Sequence, residues 1–193
     1  MISELISAWQ EGDQAAARAI FEEFRTEIFR LVFGILTNPQ DAEEVTQDAF
    51  VYALNNIHQF NPDLASFRTW LHLIAVSRSR DRLRKKRIQS ISLHAIFQRG
   101  VQLPSNEESP EETTANREQE DRVQRLLHSL SPRIREAVIL RFWAGHTYKE
   151  MALIMGCPLP TAQSRVRIGL KQLKRTLQEA KEPPITLMEM RSK

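Results

Sequence analysis

Residues Thr147–Leu173 read TYKEMALIMGCPLPTAQSRVRIGLKQL, and their punctuation decides the fold. Thr147–Met155 has the periodicity of a short helix, Gly156-Cys157-Pro158 is a turn, and a longer helix starts at about Pro160. That is the spacing of a helix-turn-helix. Gly156 suits a left-handed C-terminal cap, and Ala152 is small enough for the two helices to cross closely. At 100° per residue, Ala162, Val166, Leu170, Leu173 and Leu177 fall on one face, and Thr161, Ser164, Arg167 and Lys171 on the other, flanked by Arg165 and Lys174. The first face packs; the second can reach base edges and phosphates in a major groove. A helical hairpin with a solvated basic face has the same spacing and stays open as an alternative. Cys157 reads as a small packing residue, because no base for a nucleophile accompanies it.

Working outward, a periodic block from about Asp121, with Val123, Leu126, Leu127 and Leu130, breaks at Ser131-Pro132 and resumes with Ile134, Val138 and Leu140. Upstream, from Ile88 to about Glu120, the composition shifts to Ser, Pro, Asn, Thr and Glu, with Arg117 almost alone against six glutamates. That is a tether. Before it, Asp13 is a candidate N-cap for a helix with Ile20, Phe24, Ile28, Leu31 and Ile35 on one stripe. Asn38-Pro39 starts the next helix, which carries carboxylates in its first turn and runs to about Asn56. Asn61-Pro62-Asp63 is a turn, and a further helix begins near Ser66. No strand pattern intervenes, so the expected architecture is all-α: two small helical domains joined by a flexible linker. The tail after Lys181 carries no clear pattern.

The chain has 193 residues with a net charge of +3, 26% charged and 41% hydrophobic, enough for two small domains and unlike a disordered or membrane chain. One cysteine excludes an internal disulfide and a thiolate zinc cluster. The N-terminus lacks a basic, apolar signal pattern, and no apolar run is long enough to span a bilayer, so the expected location is the cytoplasm, without membrane insertion. The five histidines, His58, His72, His94, His128 and His146, have no ligand-like spacing and read as structural or surface residues. No metal site or cofactor is expected.

Two surfaces of the first domain carry charge. On Asp41–Phe50, Ala42, Val45, Ala49 and Ala53 line one side, and Asp41, Glu44, Gln47 and Asp48 the other. A solvated face, a docking surface for a basic partner, and a carboxylate metal site are all readings of that pattern; metal lacks a second half to its ligand set. Arg78, Arg80, Arg82, Arg84, Lys85, Lys86 and Arg87 fall within ten positions, opposed only by Asp81. Such a run is either a solubilising helix end or a phosphate-binding surface.

Taken together, Asp41-Ala42-Glu43-Glu44-Val45-Thr46-Gln47-Asp48-Ala49-Phe50, Phe60, Phe67-Arg68-Thr69-Trp70-Leu71 with Ile74-Ala75, Leu130-Ser131-Pro132-Arg133-Ile134-Arg135-Glu136 and Tyr148-Lys149-Glu150-Met151-Ala152 strongly resemble bacterial sigma factors of the extracytoplasmic-function type. The resemblance spans some nine tenths of the chain, in the family's order. It implies a region 2 domain over 1–92, a flexible acidic linker over 93–119, a region 4 domain over 120–180 and a tail over 181–193. It implies a specificity subunit with no catalysis of its own, which directs promoter-specific initiation by core RNA polymerase. Asp41, Glu44, Gln47 and Asp48 would dock on the clamp helices of the largest subunit, and the polymerase flap would be a further partner. Asn61, Asp63, Ser66, Ser77, Arg78, Arg80 and Arg84 would engage the minus-10 element of promoter DNA. Thr161, Ser164, Arg165, Arg167 and Lys171 would read the minus-35 duplex. An anti-sigma factor covering both domains is the implied regulator.

Phe67, Trp70 and Leu71 are assigned to the core that holds the minus-10 loop. Ser77 stands where many members have Asn, Arg82 where Tyr is frequent, and Pro160-Thr161-Ala162 where Gly-Thr-Val is common; the proline removes one backbone phosphate donor without ending the helix. A free-standing regulator that dimerises through the first domain, and a nuclease using Asp41, Glu44 and Asp48, are the readings from other classes.

Overall fold

The computed structural model describes residues 2–97 and 122–179, with side chains over 2–89 and 122–179. Most of the expected linker and the 181–193 tail lie outside the described residues. The helices are α1 Ile2–Gln10, α2 Gln14–Leu36, α3 Pro39–Asn56, α4 Phe67–Phe97, α5 over 122–128, α6 Pro132–Val138, α7 Tyr148–Met155 and α8 Leu159–Glu179. A 3₁₀ turn, Ile57–Gln59, follows α3, and a π-helical turn, Ile139–Trp143, follows α6. Among the described residues there is no strand. Weakening periodicity from Ile88 marked the tether, yet α4 stays helical through Phe97, into the first residues of the expected linker.

Local chemistry sets the helix ends. The Asp13 carboxylate accepts from the amides of Ala15 and Ala16 at 2.7 and 3.3 Å, satisfying two donors that α2 leaves unpaired. Asn38 Oδ1 accepts from Asp41 N at 2.9 Å, with Pro39 opening α3. Thr147 and Glu150 form a reciprocal capping box on α7, and Gly156 ends that helix at φ 57°.

The α2 stripe of Ile20, Phe24, Ile28, Leu31 and Ile35 is buried against Ala42, Val45, Ala49 and Ala53 of α3 and Leu71, Ile74 and Ala75 of α4. Each large side chain of this stripe contributes about 1.5–3 kcal/mol through its burial. At one end an aromatic cluster centres on Phe67, with ring centroids 6.0 Å from Trp9, 5.5 Å from Phe24, 5.4 Å from Phe60 and 5.7 Å from Trp70. Gln10 Nε2 donates to Ile57 O and Phe60 O, each at 3.2 Å, which ties α1 to the entrance of the 60–66 loop.

In the second domain, Met151, Ile154 and Met155 form the buried side of α7, whereas Ala152 is only half-buried. The expected packing stripe of α8 needs one correction. Ala162 and Val166 are buried as expected, but Gly169 takes the next inward position and Leu170 is 41% exposed. The reason is close approach: a Cβ at Gly169 would lie 2.5 Å from Val138 Cγ2 and 3.0 Å from Ile134 Cγ2 of α6. Both neighbours are β-branched and stiff. Gly169→Ala is therefore expected to destabilise the chain by about 1–2 kcal/mol, overpacking outweighing the gain in helix propensity. Thermal unfolding read by circular dichroism tests this; an unchanged or raised Tm contradicts it.

The two domains pack together, α4 on α7 and α2 on α6 and the π-helical turn. Gly34, fully inside α2, makes room for Ile139: a Cβ there would sit 2.9 Å from Ile139 Cδ1. Polar groups complete the contact. Arg135 of α6 donates to Ile35 O at 2.9 Å, a carbonyl in the last turn of α2 where a cation is favoured. Arg80 of α4 grips Glu136 with both Nε, at 2.9 Å, and Nη2, at 2.5 Å, and also reaches Met155 O at 2.9 Å.

Candidate nucleic-acid interface

The acidic side of α3 divides in two. Glu44, Gln47 and Asp48 share an exposed face, while Asp41 is buried to 5% exposure. Asp41 Oδ1 accepts from Arg82 Nε and Nη2 at 3.0 and 2.7 Å, and its other oxygen pairs with Lys86. Burial pushes the Asp41 carboxyl up, but these two cations outweigh it and hold the group below the usual carboxylate range. Arg82 also reaches Glu44 at 2.9 Å. Asp41 thus fastens α3 to α4, and the outward carboxylates are Glu44 and Asp48.

The loop before α4 exposes Asn61, Asp63, Leu64 and Ser66. Asn61 Oδ1 accepts from Asp63 N at 2.9 Å, a local turn bond that fixes the loop's bend. Ser66 Oγ accepts from Thr69 N at 3.2 Å, which caps α4. Sequence reasoning passed over Leu64, although its side chain, at 79% exposure, is the most exposed large apolar group among the described residues. An apolar residue between Pro62-Asp63 and the helix start was the available signal.

Along α4 the basic run is spread around the helix. Arg78 lies 4.3 Å from the Tyr52 ring centroid, Arg84 pairs with Asp81 at 3.0 Å, and Ser77 is exposed. Arg80 is turned toward the second domain by Glu136. On α8, Arg167 and Lys171 are exposed, whereas Thr161, Ser164 and Arg165 are half-buried; Ser164 Oγ donates to Thr161 O at 3.0 Å. The recognition-helix candidates therefore share one side of α8, with two cations fully outward.

His72 and His146, two of the histidines read as structural or surface residues, are buried and meet across the domain boundary with His72 Nδ1 and His146 Nε2 2.7 Å apart. Their 74-residue separation hid the pair, and only the packing of α4 on α7 brings them together. His128 Nδ1 also reaches across, 3.0 Å from Thr37 Oγ1. Among the described residues no group of three or more His, Cys, Asp or Glu is placed to hold a metal ion, and no helix is long and apolar enough to cross a membrane. Cys157 is a half-buried free thiol in the α7–α8 turn.

Known proteins resemble this chain in sequence and fold. The family Sigma-70 region 2 matches residues 20–88, and Sigma-70, region 4 matches residues 120–173. The ECF RNA polymerase sigma-E factor of Escherichia coli K12 is 32% identical over 168 residues, 84% of this chain and 86% of its own. The ECF RNA polymerase sigma factor SigW of Bacillus subtilis is 27% identical over 184 residues, covering 93% and 98%. Among solved structures, CnrH in complex with the cytosolic domain of CnrY shares the fold at a TM-score of 0.66 and 22% identity, over 91% of this chain and 96% of that one. The chain belongs to the sigma-70 family, among its extracytoplasmic-function members.

Proposed function

We propose that this protein binds core RNA polymerase and directs it to promoters, with Glu44, Gln47 and Asp48 docking on the clamp helices of the largest subunit, the flap engaging the second domain, and Asp41 holding the docking helix in place. The 60–66 loop with Ser77, Arg78, Arg80 and Arg84 takes the minus-10 strand, and Thr161, Ser164, Arg165, Arg167 and Lys171 take the minus-35 duplex. The polymerase supplies the chemistry, and the protein itself catalyses nothing. It acts in the bacterial cytoplasm. The domain limits of 1–92 and 120–180 are the units of this reading, with α4 of the first extended to Phe97.

The observation that carries the proposal is the coexistence, in one family-matched chain, of an outward acidic face on α3 and an outward basic face on α8. Carboxylates steer and orient a basic partner, while cations neutralise phosphate. Single-stranded bases need a surface that receives them unstacked, and exposed Leu64 beside the polar loop groups offers one. An anti-sigma partner is supported by the Bartonella quintana RpoE structure, a complex with the anti-sigma factor NepR that covers 83% of this chain at a TM-score of 0.64.

The closed packing has a consequence for this activity. Minus-10 and minus-35 elements lie roughly 25 base pairs apart, about 85 Å of duplex at 3.4 Å per step. Domains whose side chains touch do not span that distance, and Arg80 is occupied by Glu136. Opening must precede promoter binding.

Run-off transcription with sigma-free core polymerase, on a library of candidate promoters, tests the proposal. The native chain is expected to give specific starts, and Asp48→Arg to reduce them at least tenfold by setting like charges together at the interface. Failure of the native chain to bind core while still binding duplex DNA would support a free-standing regulator.

A further inference from the structure

His72 and His146 are 0% and 2% exposed, and each belongs to a different domain. Among the described residues, charged groups approach them from four elements. From α2, Glu27 Oε1 approaches His72 Nε2 to 3.2 Å, without the alignment of a full hydrogen bond. From α4, Arg68 pairs with the same Glu27 oxygen. From α7, Glu150 lies 3.7 Å from His146 Nδ1, and Thr69 Oγ1 reaches it from α4 at 3.3 Å. From the π-helical turn, Arg141 Nη1 bonds His146 O at 2.9 Å, holding the His146 backbone, while His146 N bonds Leu140 O at 3.0 Å. An open cleft lined by Glu23, Thr26, Glu27, Arg30, Arg68 and Trp143 brings solvent to the Glu27 side of the pair.

At 2.7 Å one imidazole nitrogen must donate and the other accept. Two neutral rings satisfy this, and so does one neutral and one charged ring. Two charged rings do not, because both facing nitrogens would carry protons and two cations would be buried in contact. We propose that the His72–His146 pair is a proton-operated latch: with at least one ring neutral it clasps the two domains, and protonation of both rings drives them apart into the form able to span a promoter.

The direction of the pH dependence follows from which form binds more protons. Burial first, then the neighbouring His72 and Arg68, pulls His146 down to about 4. Burial likewise pulls His72 down, against the raising effect of Glu27. In the open form both rings are hydrated and titrate near the ordinary value of about 6.5. The open form therefore binds more protons, so closure is fully favoured above pH 6.5 and is lost progressively as pH falls from there toward 4. Between pH 7.5 and 5.5, His146 alone shifts the closed-to-open ratio about tenfold. Burial also raises Glu27, but its contacts with His72 and Arg68 prevail and hold it at about 2, so it remains a carboxylate throughout this window.

The test reads opening directly in the full chain, independently of polymerase. In a Cys157→Ser background, Ile139→Cys places a thiol at the domain contact and Gln172→Cys places one on the exposed surface of α8. The ratio of their modification rates at each pH reports the open fraction, even where that fraction is small. The ratio is expected to rise at least about tenfold from pH 7.5 to 5.5, with helical circular dichroism unchanged, and to change less than twofold in His72→Gln/His146→Gln. A native ratio that changes less than twofold overturns the latch. So does an equal rise in the double variant, or a rise that tracks loss of helix.

Discussion

Phe67→Ala is expected to lower the unfolding free energy by about 3–5 kcal/mol, the range for truncating a buried aromatic residue in a well-packed core. Phe67 is 5% exposed and stands at the centre of rings contributed by α1, α2, the 3₁₀ exit and α4 itself. Removing it forfeits both the apolar transfer energy and four ring contacts. The loss is also directional. Phe60 and Trp70 lie 5.5 Å apart on either side of the loop that carries Asn61, Asp63 and Leu64, and Phe67 is their shared support. Urea unfolding followed by tryptophan fluorescence suits the measurement, since Trp9 and Trp70 line the cluster. A loss below about 2 kcal/mol would show that the cluster repacks, and the loop's geometry would then have to be attributed to Gln10 and the Asn61 turn instead.

Arg135→Ala is expected to cost about 2–4 kcal/mol and, at the same time, to loosen the domain contact. Arg135 is 5% exposed, and burial disfavours its charge. What compensates is a set of acceptors: Ile35 O at 2.9 Å and Thr37 Oγ1 at 3.3 Å in the first domain, and Leu130 O at 3.1 Å and His128 O at 3.3 Å before α6. Truncation leaves these carbonyls partly unsatisfied inside the protein, which costs more than the bonds gain when made. Arg135→Lys should recover little, because a single ammonium lacks the planar fork that serves both sides of the contact. Equilibrium unfolding measures the first effect, and the Ile139→Cys modification rate measures the second. A stability loss without faster modification would mean that the first-domain acceptors contribute little to closure.

How much of this was legible in sequence varies with the range of the interaction. The Asp13 and Asn38 caps, the Gly156 turn and the α2 stripe were readable because each depends on residues within a turn or two of one another. The acidic face of α3 was readable for the same reason, yet Asp41 was assigned to it without a way to see Arg82 and Lys86, which arrive from α4. Leu170 was placed inward by projection alone. Projection gives the angle around a helix but not the distance to the next helix, and Gly169 takes the inner position because α6 comes too close for a side chain. Arg80 looked like one more cation in a basic run until Glu136 and Met155 O claimed it.

The sequence by itself determined most of the helices, their capped ends, the two-domain order and the separate charged faces, since these follow from local periodicity, capping chemistry and composition. Only the tertiary structure decided that the domains close on each other, that Arg80 and Arg135 are spent on that contact, and that His72 and His146 share a hydrogen bond. Those facts depend on which surfaces meet across separations of 56 to 100 residues. Burial, the lost hydration of charges and the need to satisfy every enclosed donor and acceptor then select the pairing, and none of these quantities exists before the chain has folded.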